Sequence, residues 1–175
     1  ISISNILIAQ NRTGTGVFVN GIEMQQQVIT KLENYYRVKV QKGRYWYDAR
    51  CGLWGLEGDK ALGVMLPNLR FGRLKANASN GRTGIFINGR QINRAERLQW
   101  HQLLGNTIPG RYVLDQYGNL STEQGMYVCN VVQVARARSG GSNGSFYRNW
   151  YTGNGGGGDS SGFYIMGKDW SYSSF

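Results

Sequence analysis

Apolar and polar residues alternate strictly at the start of the chain, Ile1-Ser2-Ile3-Ser4, and Ile6-Leu7-Ile8 continues the apolar side. Alternation with a period of two puts one set of side chains on one face, so residues 1–12 predict an N-terminal strand. A β-branched and aromatic run follows, Thr15-Gly16-Val17-Phe18-Val19-Asn20-Gly21, ending on the Asn-Gly pair that suits a tight hairpin. The period then lengthens. Met24, Val28, Leu32 and Tyr35 recur at helical spacing, as do Ile92, Ala95, Leu98 and Leu103 later, where Asn93 and Glu96 have the form of a capping box. Each helix gives way to a hairpin. The first has arms Arg44–Asp48 and Leu53–Glu57 around Gly52; the second runs Arg111–Asp115, turns near Gly118 and returns through Leu120 to Glu123. Past it, Met126–Ala135 carries Val128, Val131, Val132 and Val134 and predicts another strand.

These elements occur twice in the same order. Thr15–Gly21 recurs as Thr83-Gly84-Ile85-Phe86-Ile87-Asn88-Gly89, an offset of 68 (15 to 83). Gly43-Arg44-Tyr45-Trp46-Tyr47-Asp48 recurs as Gly110-Arg111-Tyr112-Val113-Leu114-Asp115, an offset of 67 (43 to 110). Matching order, spacing and residue type mark an internal duplication. The expected fold is α+β and β-rich, with two pseudo-repeated strand–turn–strand–helix–hairpin units and flanking terminal strands. The divisions are 1–12 (strand), 13–58 (first unit), 59–82 (linker), 83–125 (second unit), 126–138 (strand) and 139–175 (an arm of Gly, Ser and aromatics).

Composition changes the picture in three ways. The 26 glycines and the 17% of charged residues in 175 suit turns and strands more than a helical enzyme. A net charge of +10 favours anionic polymers as partners, although the basic residues are dispersed and equally suit a solvated surface. No stretch approaches the roughly 18 apolar residues that would span a membrane. The chain begins at Ile1 rather than Met, which fits a cleaved export signal and an extracellular or cell-surface location. In that setting Cys51 and Cys129 would bridge, stabilising by roughly 4 kcal/mol; the alternative is two separate buried thiols.

Candidate chemistry is sparse. Arg44, Tyr45, Trp46, Tyr47 and Trp54 could form a stacking platform for a sugar, base or peptide, or could pack against their own sheet. Asp48 with Glu57, or Asp115 with Glu123, could be posed as a glycosidase pair, but Asp beside a Gly turn is more often a turn former. His101 is the only histidine and falls at the end of the second helix. The Gly155–Gly158 run lacks the Lys-Ser/Thr and the strand-to-helix setting of a phosphate loop. No catalytic residue, cofactor or metal site is expected.

The doubled pattern of TG-F-NG followed by GRY-x-x-D-x-x-G-x-x-x-E-G, over roughly residues 13–125, resembles one in uncharacterised, export-type bacterial proteins. The resemblance implies a bacterial origin and supplies no activity or catalytic residue. Together these readings favour a non-enzymatic, self-assembling subunit of a bacterial surface filament or sheath. Ile1, Ile3, Ile6 and Ile8 would add a strand to a sheet edge, their own or a neighbouring copy's, and Trp150, Tyr151, Phe163 and Trp170 would anchor in grooves of either. An exported carbohydrate- or peptide-binding module and a nucleic-acid binder are the alternatives.

Overall fold

The computed structural model describes residues 14–138, and beyond them the backbone of four two-residue strands in the tail. Unit 1 begins with β1 (Val17–Val19), β2 (Ile22–Glu23) and α1 (Gln26–Tyr36), followed by β3 (Gly43–Tyr47), β4 (Leu53–Leu56) and β5 (Ala61–Val64). Unit 2 repeats the series as β6 (Ile85–Ile87), β7 (Arg90–Gln91), α2 (Arg94–Leu104), β8 (Gly110–Leu114), β9 (Asn119–Thr122) and β10 (Tyr127–Asn130), and then adds α3 (Val131–Arg138). The tail strands pair as two separate ribbons, Tyr147–Arg148 with Gly155–Gly156 and Gly158–Asp159 with Gly162–Phe163.

Sheet A is ordered β2-β1-β3-β4-β5 and sheet B, read from its other edge, β7-β6-β8-β9-β10. The two orders are the same, and both central pairs, β1 with β3 and β6 with β8, are parallel. The duplication read from the sequence is therefore a duplication of topology, and the α+β, strand-rich class holds. The linker contributes β5, so each unit has five strands rather than four. The segment 126–138 departs from expectation after Asn130, where the chain turns helical. The Asn130 side chain accepts a hydrogen bond from Gln133 N at 3.0 Å, a helix-capping contact, and Val131 and Ala135 enter the core one helical turn apart. Packing overrides the strand preference of the three valines.

The motif residues have identifiable structural roles. Asn20 and Asn88 hold φ 51°, and Gly21 and Gly89 φ 85°, which the two-residue turn between twisted strands requires. The Asn carboxamides also extend the parallel ladder past the turn. Asn20 Nδ2 donates to Tyr47 O at 2.8 Å while Tyr47 N donates to Asn20 Oδ1 at 2.9 Å. Asn88 makes the same pair with Leu114, at 2.8 and 3.0 Å. A carboxamide offers one donor and one acceptor as a peptide unit does, so few other side chains can substitute. Thr15 and Thr83 hydroxyls donate to Met24 O and Ile92 O, fixing where each chain leaves its hairpin.

Two cores result. In unit 1, α1 lies on one face of sheet A, where its Ile29 joins Val17, Val19, Met24, Tyr47 and the linker residue Phe71. The second core is shared: Trp46, Leu53 and Ala61 of sheet A join Ile85, Ile87, Ile92, Trp100 and Leu103 of unit 2. Helix α2 turns an unexpected face inward. Ile92 and Leu103 are buried as the periodicity suggests, but Leu98 is 56% exposed, and Glu96 and Trp100 are buried instead. The reason is electrostatic, because Glu96 forms a two-pronged ion pair with buried Arg90 at 2.7 and 2.8 Å.

Candidate functional site

The strand register defines two faces on each sheet. In unit 1, Tyr45 and Tyr47 point toward α1, while Arg44 and Trp46 point the other way. That outer face carries the row Trp46–Gly55–Ala61, cross-strand partners on β3, β4 and β5. All three are buried, Trp46 at 1% and Ala61 at 0% exposure. The indole lies over Gly55, where an added Cβ would stand 2.8 Å from its ring, and Trp46 Nε1 donates to Asp59 O at 3.1 Å. Unit 2 covers this row. The Arg90 guanidinium sits 3.9 Å from a Trp46 ring centre, Asn88 Nδ2 donates to Asp48 Oδ2 at 2.7 Å, and Arg90 also donates to Ser79 Oγ at 2.6 Å.

The equivalent row of unit 2 is Val113–Ser121–Tyr127, on β8, β9 and β10. Val113 and Ser121 are only half-buried and Tyr127 is 62% exposed. The units are thus docked head to tail: the outer face of unit 1 is an interface, and among the described residues no second unit covers the outer face of unit 2. On the same strand, Met126 is 68% and Val128 45% exposed.

A second row recurs on both outer faces. Arg44 lies 5.1 Å from the Phe18 ring centre and pairs with Glu57 at 2.6 Å; Arg111 lies 4.7 Å from Phe86 and pairs with Glu123 at 2.8 Å. These arginines are about half exposed (54% and 49%), so each ion pair contributes at most about 1 kcal/mol. The ladders account for the Phe, Arg and Glu of the repeated motif.

The remaining candidate residues fall into place individually. The aromatic set takes its packing alternative. Tyr47 is 1% exposed, its hydroxyl donates to Leu66 O at 2.6 Å, and burial pushes its pKa up to about 12. Trp54 packs 6.1 Å from Tyr45 beneath α1. With Trp46 also covered, these four rings do not form a free stacking platform. The Cys51–Cys129 disulfide is absent. Cys51 lies in the β3–β4 turn with its thiol on Asp48 Oδ2 at 3.2 Å, whereas Cys129 lies on β10 of the other sheet, and both are free. Burial pushes both thiols up, Cys51 strongly.

The acid pairs are not assembled. Asp48 and Asp115 hold their own turns, accepting from Arg50 N and from Tyr117 N and Asn119 N, while Glu57 and Glu123 bind arginines at the far ends of the hairpins. His101 is exposed in the last turn of α2. Among the described residues no group of three or more His, Cys, Asp or Glu could hold a metal ion, and no helix is long and apolar enough to cross a membrane. The side chains proposed for assembly (Ile1, Ile3, Ile6, Ile8, Trp150, Tyr151, Phe163 and Trp170) lie outside the described residues.

Two cavities occupy equivalent places between helix and sheet. That of unit 1 is about 100 Å³ and lined by apolar side chains such as Val17, Ile29, Leu32 and Phe71. That of unit 2 is about 330 Å³, with Trp100, Tyr112, Val128 and Cys129 in its wall and Asn106, Thr107 and Arg138 also lining it.

No family model matches this chain, and no solved structure matches it. Over 97 residues, 54% of the chain, it is 40% identical to extra-large guanine nucleotide-binding protein 1 of Arabidopsis thaliana, covering 11% of that protein. Over 65 residues, 35% of the chain, it is 42% identical to extra-large guanine nucleotide-binding protein 2 of the same plant, covering 8%. The chain therefore spans about a tenth of the length of the curated relatives it matches. These relatives correct the resemblance to bacterial exported proteins, because they are plant proteins. They likewise overturn the extracellular bacterial filament with copies of itself as partner; neither that role nor the two binding alternatives is what the relatives are named for.

Proposed function

We propose that the chain is a non-catalytic docking module that binds a guanine nucleotide-binding polypeptide through the outer face of unit 2. One observation carries the reading: the Val113–Ser121–Tyr127 row stands open where its counterpart in unit 1 is buried under a neighbouring unit. Stacked repeats bury each sheet or helix face against the next, so an uncovered terminal face is a ready interface. The relatives are named for guanine nucleotide binding and are about ten times longer than the matched stretch, which leaves room for the nucleotide site elsewhere in them.

The second reading, that this chain itself holds the nucleotide, has less support. A phosphate cradle needs a glycine-rich loop running from a strand into a helix N-terminus. Here α1 follows β2 with Gln25 at its N-cap, and the N-terminus of α2 is occupied by Asn93 bonded to Glu96 N, with an acidic side chain in the first turn.

A pair of titrations tests the proposal. Fluorescent GDP and GTP analogues should show no saturable binding to the chain. Extra-large guanine nucleotide-binding protein 1, loaded with GDP and lacking its matched 97 residues, should bind saturably, and Val113→Asp should weaken binding about tenfold or more without unfolding the chain. Saturable nucleotide binding with no binding to the protein would reverse the assignment.

A further inference from the structure

We propose that β10 is a strand-accepting edge, taking an extended segment of the partner protein that has apolar residues at alternate positions and acidic flanks. The inference rests on the docking-module reading and specifies how the partner is held.

The backbone provides the first argument. β10 is the last strand of sheet B, and β9 is the one strand it pairs with among the described residues. Thr122 N donates to Met126 O at 2.8 Å. Antiparallel residues alternate between bonding inward and outward, so the next residue, Tyr127, turns its N–H and C=O away from β9. Native edge strands usually block such groups with Pro, Lys or an inward charge. The segment Met126-Tyr127-Val128-Cys129-Asn130 carries none of these. A bulge between Tyr127 and Cys129 is another such device, and it leaves the outward groups of Tyr127, ahead of it, for pairing.

The side chains provide the second. Tyr127 shares the outer face with Ser121, whereas Val128 and Cys129 line the unit 2 cavity on the α2 side. A strand laid along β10 would place alternate side chains on these two sides. One would lie beside the exposed Tyr127 ring and the next at the 330 Å³ cavity, which Ile108, itself 63% exposed, also lines. Side-chain pockets on either side of an open edge give specificity to strand addition, and main-chain bonds give it affinity.

Charge selects the flanks. The chain carries +10 and Arg138 lines the cavity, while Arg111 on the outer face is already paired with Glu123. Acidic residues at the ends of the added segment would be drawn to this field, and basic ones repelled.

The test uses a short synthetic peptide that alternates valine and threonine between acidic ends. At saturation it should slow deuterium exchange at Tyr127–Asn130 and alkylation of Cys129 by about tenfold, with the buried Cys51 thiol as internal reference. Tyr127→Pro, tolerable where an edge N–H faces outward, should weaken peptide binding about tenfold, and Tyr127→Thr, which keeps the backbone donor, by about twofold or less. If Tyr127→Pro unfolds unit 2, N-methylation of the peptide amides removes the same bonds from the other side and should produce the same loss. Equal losses for Pro and Thr would show contact through the ring, and would overturn strand addition while leaving the docking module intact. Absence of peptide binding, or sedimentation showing two copies joined through β10, would also overturn it. Failure of the docking module itself appears separately, as loss of binding to the truncated guanine nucleotide-binding protein.

Discussion

Replacing Arg90 by methionine should lower the unfolding free energy by about 3–5 kcal/mol, read as a shift in the urea midpoint at unchanged slope. Arg90 is fully buried, and its guanidinium faces both oxygens of the equally buried Glu96, bonds Ser79 and covers the Trp46 ring. Methionine fills much of the same volume but leaves the Glu96 carboxylate in a low-dielectric interior without that guanidinium. Desolvation of an ion is the dominant cost, so the loss should greatly exceed that of a surface pair. Arg90→Met combined with Glu96→Leu should recover most of it, because the stranded charge has then gone too. A loss below about 1 kcal/mol in the single variant would mean that the buried pair does not stabilise the fold.

Trp46→Ala should cost a similar amount, about 3–5 kcal/mol, for a different reason. The ring is 1% exposed, lies over Gly55 on one side and under Arg90 on the other, and leaves a cavity that neither backbone can close. The equivalent change in unit 2, Val113→Ala, should cost under about 1 kcal/mol, because Val113 is only half-buried and no second unit covers it among the described residues. Thermal or urea unfolding of the two variants side by side measures the asymmetry between the units. Equal costs would show that unit 2 is covered as well.

Much of the architecture was legible because local chemistry and topology agree. The Asn-Gly pairs specify tight turns, the repeated Gly-Arg-Tyr segments specify matching strands, and Asn93 specifies the start of α2 through its bond to Glu96 N. The failures have physical causes. Val131, Val132 and Val134 have strand propensity, but Asn130 caps a helix there and burial of Val131 and Ala135 holds it. Leu98 fits the helical period and yet faces solvent, because Glu96 finds Arg90 across a fold that no periodicity reveals.

The candidate site was concealed in another way. The rings of Tyr45, Trp46, Tyr47 and Trp54 attract attention as a platform, whereas the useful signal is the substitution between units. Trp46, Gly55 and Ala61 become Val113, Ser121 and Tyr127, so the large ring leaves the first strand of the row for the last, and the glycine beneath it is lost. That contrast is what a packed face and an open face require. It becomes interpretable only when the register shows each trio to be one row across a sheet. The filament reading leaned on both ends of the chain, which lie outside the described residues, and on a bacterial resemblance that the plant relatives displace.

The head-to-tail arrangement, with one outer face buried and its equivalent open, is most directly tested by hydroxyl-radical footprinting of the isolated chain with residue-level mass spectrometry. Met126 and Tyr127, at 68% and 62% exposure, should oxidise rapidly, and Trp46, at 1%, should be protected although free indole is highly reactive. Arg90→Met should raise oxidation at Trp46 and leave Tyr127 unchanged. Rapid oxidation of Trp46 in the unaltered chain, or protection of Tyr127 equal to that of Trp46, would contradict the arrangement.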